Sequence, residues 1–266
     1  MVSATTISVV CPTFNSGRFV GEALRTAFRQ THAPDEVIVS DDGSSDDTPE
    51  QVERAIRAYG QGRRSQIIRG PHRGPGAARN AGVKAARGDW IAFLDSDDLW
   101  EPEKLQVICE AIAVNPAANF FCHSETHAGR RGNSVLLDYG RKYRAGAPLP
   151  MQLYASNLFS TSAVVCKRQL LMDHGLFNER LMSAQDYELW LRLSPFIRPV
   201  FVRRALGFYV EREGNITSGR LMARFRNEVR IAVEHRRLVT PWLVGLRLGR
   251  IVASYARQYV RRRVGP

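Results

Sequence analysis

The sequence predicts an α/β fold, with a mainly parallel sheet between flanking helices and a helical extension at the C-terminus. Three observations carry that prediction. Short apolar runs alternate with helix-period segments through the first four-fifths of the chain, the pattern of strand-helix-strand units. Several of the runs are apolar without a break, as in strands covered on both faces. From Arg220 onward the composition changes to arginine-rich, with no further strand pattern.

The elements follow in order. Ile7–Cys11 reads as a strand and Arg18–Gln30 as a helix; Glu36–Ser40 and Pro49–Tyr59 repeat the pair. Gln66–Arg69 precedes a helix over Gly76–Arg87, and Trp90–Leu94 precedes one over Glu101–Asn115. Asn119–His123, Ala163–Lys167 and Pro199–Val210 are later strands, with a helix over Ala184–Ser194 before the last. Thr126–Pro150 is polar, with scattered Gly and Arg, and reads as a long surface loop or an excursion over a site. After Thr240-Pro241 a helical pattern runs to about Arg263. The chain divides into a body over 1–219 and a basic extension over 220–266.

The 266 residues carry 38 Lys+Arg against 26 Asp+Glu, a formal net charge of +12. Twelve arginines and two glutamates lie in 220–266, a net +10, which leaves 26 basic and 24 acidic residues, a net +2, in 1–219. An apolar fraction of 44% and a charged fraction of 24% argue against wholesale disorder. Cys11, Cys109, Cys122 and Cys166 form no CxxC pair and have no His at finger spacing, which disfavours a disulfide framework and a zinc knuckle. The N-terminus has no basic leader, and no apolar stretch reaches the roughly 18 residues of a membrane span. A cytoplasmic protein is expected.

In open α/β sheets ligands collect at the carboxyl ends of the strands. Pro12-Thr13-Phe14-Asn15 follows the first strand, Asp41-Asp42-Gly43-Ser44 the second, and Asp95-Ser96-Asp97-Asp98 the fourth. Two acidic clusters at neighbouring ends repel unless a cation or a donor-rich ligand lies between them. Asp95 and Asp97 offer hard oxygen donors suited to Mg²⁺ or Mn²⁺; Asp98 alternatively caps the helix near Pro102. Asp41-Asp42 is ordinary turn chemistry or an acceptor for a nucleobase N–H. The glycine-rich stretch Gly70–Gly76 starts a helix whose N–H groups favour an anion, and it is neither a Walker A loop nor GxGxxG. Arg79-Asn80 in that helix tips it toward a ligand-facing role. Asp186, in the first turn of its helix, is either a dipole partner or a general base.

Taken together, Thr6–Asn15, Glu36–Asp46, Ala78-Arg79-Asn80, Phe93–Asp98 and Asp186 before Leu189-Trp190-Leu191-Arg192 resemble glycosyltransferase family 2 over about Thr6 to Gly219. The resemblance implies the GT-A fold, a Rossmann-like nucleotide-binding sheet. It also implies metal-dependent inverting transfer from a nucleotide sugar, with UDP the expected nucleotide, to a lipid-linked or glycan acceptor in cell-envelope or exopolysaccharide synthesis. By the same resemblance, Pro12, Thr13, Phe14, Asn15, Asp41, Asp42, Arg79, Asn80, Asp95, Ser96 and Arg212 contact the nucleotide sugar. Asp97, with Asp95, holds a divalent cation (Mn²⁺ or Mg²⁺), Asp186 is the catalytic base, and Asn157–Ser162 lies on the acceptor side. Two positions depart from the family. Gln185 replaces the usual Glu before Asp186, so Asp186 is expected to ionise more easily than beside a second acid. Arg212 stands where the family often has His.

In the extension, Arg247, Arg250, Arg257 and Arg261 fall on one arc at 100° per residue. Val244, Leu248, Ile251, Val252, Tyr255 and Tyr259 fall on the opposite arc. Such a helix lies on an anionic membrane surface, which would make the protein peripheral on the inner face of the cytoplasmic membrane, packs on the body, or meets a partner helix. Two other functional readings stand beside the enzyme. One is a nucleotide-sugar-binding protein of the same fold without turnover, motivated by Gln185 and Arg212. The other is a nucleic-acid-binding protein driven by charge; the near-neutral body and the lack of a stacking platform disfavour it, so no nucleic-acid partner is expected.

Overall fold

In a computed structural model of the chain, residues 5–129, 133–210 and 221–264 are described, with side chains to 259. The apolar runs form strands β1 (Ile7–Thr13), β2 (Glu36–Asp41), β3 (Arg64–Arg69) and β4 (Trp90–Phe93), which pair in parallel in the order β3-β2-β1-β4. The sheet continues with β8 (Val164–Lys167), β6 (Phe120–Ala128), β9 (Pro199–Val210) and the short β5 (Leu99–Trp100), while β7 (Ser134–Leu137) pairs with β6. β8 runs antiparallel to both β4 and β6, and β9 is parallel to β6. The two reversals cancel. The carboxyl ends of β1, β2, β4, β6 and β9 therefore share one edge of the sheet, and the acidic clusters meet there.

Each buried strand serves two cores because its side chains alternate. Val9, Val37 and Val39 pack with α1 (Gly17–Phe28), α2 (Thr48–Tyr59) and α4 (Lys104–Val114). Val10, Ile38 and Phe93 face α3 (Pro75–Ala85), α5 (Leu149–Ala155), α6 (Arg168–Asp173) and α7 (Gln185–Leu193). Trp190, fully buried, anchors this second core with Phe93, Phe120, Phe159 and Phe177 around it. The small-residue helix α3 sits close to β1. A Cβ at Gly82 would stand 2.4 Å from Cγ1 of Val10, so glycine sets that approach.

Several boundaries depart from the sequence expectation. Thr126–Pro150 is not a plain loop: β6 extends to Ala128, β7 occupies Ser134–Leu137 and α5 starts at Leu149. Cross-strand pairing supplied by β9 and β6 overrides the polar local sequence. Helix α4 starts at Lys104, with Glu103 at its N-cap position, so Asp98 does not cap it; the two-residue β5 intervenes. The extension folds as α8 (Leu221–Glu234) and α9 (Pro241–Val264), and Leu221, Ile231, Ala232, Leu243, Ile251 and Tyr255 join the α7 side of the core. Three arc assignments change. Val252 and Tyr259 are exposed, whereas Arg247 turns inward, its guanidinium carbon 5.2 Å from the Tyr187 ring centroid. Among the described residues, no helix is long and apolar enough to cross a membrane.

Candidate active site

The β1 and β2 ends form one wall. Thr13 closes β1 and donates its hydroxyl to Oδ1 of Asp41, 3.1 Å away. Asp41 also accepts from the amide and hydroxyl of Ser44. Asn15 adopts φ 47°, a left-handed conformation that costs a non-glycine residue about 1–3 kcal/mol. Its amide donates to Ser44 Oγ and its Oδ1 accepts from the Ser45 amide, both at 2.9 Å. Asp41 and Asn15 thus tie the first two loops together, and Pro12 is buried beneath them.

Asp42 is buried and reaches across to the glycine-rich loop. Its two oxygens accept the amides of Arg73 and Gly74, each at 2.8 Å, and Nδ1 of His72 lies 2.7 Å away. Gly74 makes this possible with φ 98°, a region where its missing Cβ matters. His72 stacks on the exposed ring of Phe14, with centroids 4.0 Å apart and planes 19° from parallel. The stack is a flat, solvent-facing platform. His72 went unnoticed in the sequence, since only the fold brings it over Phe14.

The β4 end is the other wall. Arg79, 5% exposed, donates from Nη2 to Oδ1 of Asp95 at 2.5 Å, while its Nε and Nη1 are buried without hydrogen-bond partners. Two orphaned donors on a buried cation are costly unless an anion takes them. Asn80, expected to face a ligand, points elsewhere: Nδ2 donates to the Phe177 carbonyl and to Glu179, and Oδ1 accepts the Phe177 amide. Arg73 also bonds Glu179, at 2.6 Å. Asn80 therefore fixes the segment before α7. Ser96 bonds Ser16 Oγ at 2.8 Å and ties the turn to the start of α1.

Beneath Asp95–Asp98 lies a buried polar layer that the sequence reading missed. Ser162 accepts the Asp95 amide at 3.0 Å and donates to Asp98 at 2.6 Å, while Lys104 Nζ donates to the Ser162 carbonyl at 2.7 Å. Lys104 also lies 3.4 Å from the Trp100 ring centroid. On β6, Glu125 accepts from Tyr139 at 2.8 Å. Burial, then the charge of Glu125, pushes the Asp98 carboxyl well above the usual range; burial pulls the Lys104 ammonium down against the attraction of Glu125. The layer holds the turn that presents Asp95 and Asp97.

Asp186 stands in the first turn of α7, just after Ala184, whose φ of 58° is the other left-handed non-glycine among the described residues. Burial raises the Asp186 pKa, and the Tyr187 amide and the Arg79 charge oppose that rise. Asp95 raises it further, so Arg79, Asp95 and Asp186 act on one another electrostatically. Replacing a neighbouring acid by Gln185 does not leave Asp186 at an ordinary value, because burial is the largest influence. Gln185 is itself buried, with Oε1 unpartnered. Arg212 lies outside the described residues.

The family model for glycosyl transferase family 2 matches residues 8–175. An uncharacterized glycosyltransferase of Rickettsia conorii is 30% identical over 204 residues, which cover 73% of this chain and 31% of that protein. The chain thus spans about a third of that relative's length. Among solved structures, Staphylococcus aureus TarS 1–349 in complex with UDP-GlcNAc aligns with a TM-score of 0.70 at 24% identity, over 86% of this chain and 66% of that one. The mannosyltransferase PcManGT of Pyrobaculum calidifontis in complex with GDP-Man and Mn²⁺ aligns at 0.68 and 19% identity, over 98% and 76%. Both likenesses show the fold.

Proposed function

Because this chain belongs to glycosyltransferase family 2 and has its GT-A fold, we propose that it transfers a sugar with inversion from a UDP-sugar to a lipid-linked or glycan acceptor of cell-envelope or exopolysaccharide synthesis. The observation that carries this reading is Arg79, a buried guanidinium with two unpartnered donors that is paired with Asp95 and whose charge reaches Asp186. A diphosphate supplies the acceptors those donors need, with the fork geometry that arginine matches. The Phe14–His72 platform offers a face on which a base can stack. Family membership takes the place of the nucleic-acid reading of the net charge.

Asp95 and Asp97 are the residues to hold a divalent cation. Among the described residues no group of three or more His, Cys, Asp or Glu side chains forms a self-sufficient metal cage. Two carboxylates fit Mg²⁺ or Mn²⁺ of the kind that completes its shell with phosphate oxygens and water. When bound, that cation offsets negative charge on the departing diphosphate. The protein's own residues do the rest. Arg79 grips the diphosphate; the Ser162 and Asp98 layer holds the turn; Asn80 and Arg73 fix the approach to α7. Asp186 accepts the proton of an acceptor hydroxyl as its oxygen bonds the anomeric carbon. The bond from that carbon to the diphosphate breaks on the opposite side, and a single displacement gives inversion. A raised pKa makes Asp186 a stronger base than an exposed aspartate.

A thermal-shift panel of UDP-, GDP- and dTDP-sugars with Mn²⁺ tests the reading, because a ligand bound at a hundred times its Kd stabilises by about 2.7 kcal/mol. UDP-sugars are expected to stabilise most, and a GDP-sugar in first place would reassign the base. Sugar transfer or donor hydrolysis by the stabilising compound separates the enzyme from a binding protein of the same fold without turnover.

A further inference from the structure

Helix α9 has two apolar sides, and only one of them is covered. On its inner side Leu243, Ile251 and Tyr255 are buried against the body, with Val244 and Leu248 partly buried beside them. On its outer side Trp242 is 65% exposed, Leu246 41% and Val252 54%. At 100° per residue Trp242, Leu246, Gly249, Ala253 and Ala256 form one exposed stripe, bordered by Arg250 and Arg257 on one flank and Val252 on the other. From Pro241 to Val264 the helix carries no acidic residue, and all of its cations are arginines.

We propose that this outer face seats the protein on the surface of an anionic lipid bilayer. The stripe is apolar enough to enter the boundary between headgroups and acyl chains, and Trp242 is of the type that settles at headgroup level. Arg250 and Arg257 stand where anionic headgroups would meet them. The charge pattern selects this occupant over two others. A second copy docked through the same face would bring these arginines against their counterparts with no acid of α9 to neutralise them. A nucleic acid would satisfy the arginines but offer no apolar surface to Trp242, Leu246 and Val252. Seating does not depend on the proposed enzyme activity. One consequence does: α9 touches α7 through Arg247 and Tyr187, next to Asp186, so the candidate base would work about one helix diameter, roughly 10–12 Å, from the bilayer.

Flotation of the full chain tests the seat, using vesicles of phosphatidylcholine alone and of phosphatidylcholine and phosphatidylglycerol in equal parts. The chain is expected to float with the anionic vesicles only, and less so as NaCl is raised. The double variant Arg250→Gln, Arg257→Gln should weaken binding about thirty-fold, at the usual contribution of a surface arginine near anionic lipid. Trp242→Ser with Leu246→Ser should abolish flotation, with both double variants keeping the wild-type melting temperature. Failure of the wild-type chain to float at low salt overturns the proposal, as does undiminished flotation of both variants. A stable dimer in light scattering that Trp242→Ser with Leu246→Ser dissociates would assign the face to a second copy and equally overturn it.

Discussion

The two walls of the site are built from similar residues and left in opposite states. At the β1 and β2 ends each carboxylate has partners from its own chain: Asp41 takes Thr13 and Ser44, and Asp42 takes the amides of Arg73 and Gly74 with His72 beside it. At the β4 and α7 ends polar groups are buried and under-partnered, with Arg79 and Gln185 keeping orphan atoms and Asp186 held above its ordinary pKa. Satisfied groups shape a scaffold. Unsatisfied ones hold free energy that a ligand can release.

Breaking the unsatisfied wall should cost activity and little stability. The largest expected effect is Asp186→Asn, which removes the proposed base and should lower kcat by about 10³-fold or more, with a melting temperature close to wild type. Full turnover in that variant would end the base assignment. Next is Asp42→Ala on the satisfied wall. It strands the buried Gly74 amide and the part-buried Arg73 amide and should destabilise the fold by about 2–4 kcal/mol in denaturant titration. A cost near zero there would erase the contrast between the walls. Arg79→Met should raise the donor KM at least tenfold, with a smaller stability loss than Asp42→Ala, because it deletes orphan donors along with the partner of the partly exposed Asp95.

The pH dependence sharpens the comparison further. Folded Asp186 holds its proton more tightly than the unfolded chain does, so its contribution to stability falls as pH rises from the unfolded value through the raised folded one. Activity moves the other way, with kcat/KM climbing over the same window as the base ionises. In Asp186→Asn this group's share of the stability slope should vanish, which denaturation at several pH values reads directly. The smallest effect is expected at Gly82→Ala, where the new methyl meets Val10 and should cost about 1–3 kcal/mol of stability without touching donor affinity.

The sequence showed the strands and the acids at their carboxyl ends because both are local. An unbroken apolar run such as Trp90–Phe93 marks a strand covered on both faces, and the acids after it fall at its carboxyl end. Helix α7 and the tail helix α9 were equally legible from their periodicity. What stayed hidden lies between loops far apart in the chain. His72 over Phe14, Asn80 turned to Phe177, Ser162 under Asp98 and Glu125 bonded to Tyr139 across a hairpin leave no periodic trace, since each pairing depends on how two elements pack.

The tail shows the same division. Its composition placed nearly all of the net charge there, and its period made it an amphipathic helix. Hydrophobic periodicity gives a helix an apolar side but does not say how much of that side a neighbour will cover. The tertiary structure decided it by packing Leu243, Ile251 and Tyr255 against the body, turning Arg247 onto Tyr187 and leaving Trp242, Leu246 and Val252 to solvent. The sequence by itself determined the strand ends, the acids on them and the helical tail. Tertiary packing alone determined which acids are already satisfied and which face of the tail is left over, because burial and partnership belong to pairs of elements and not to single ones.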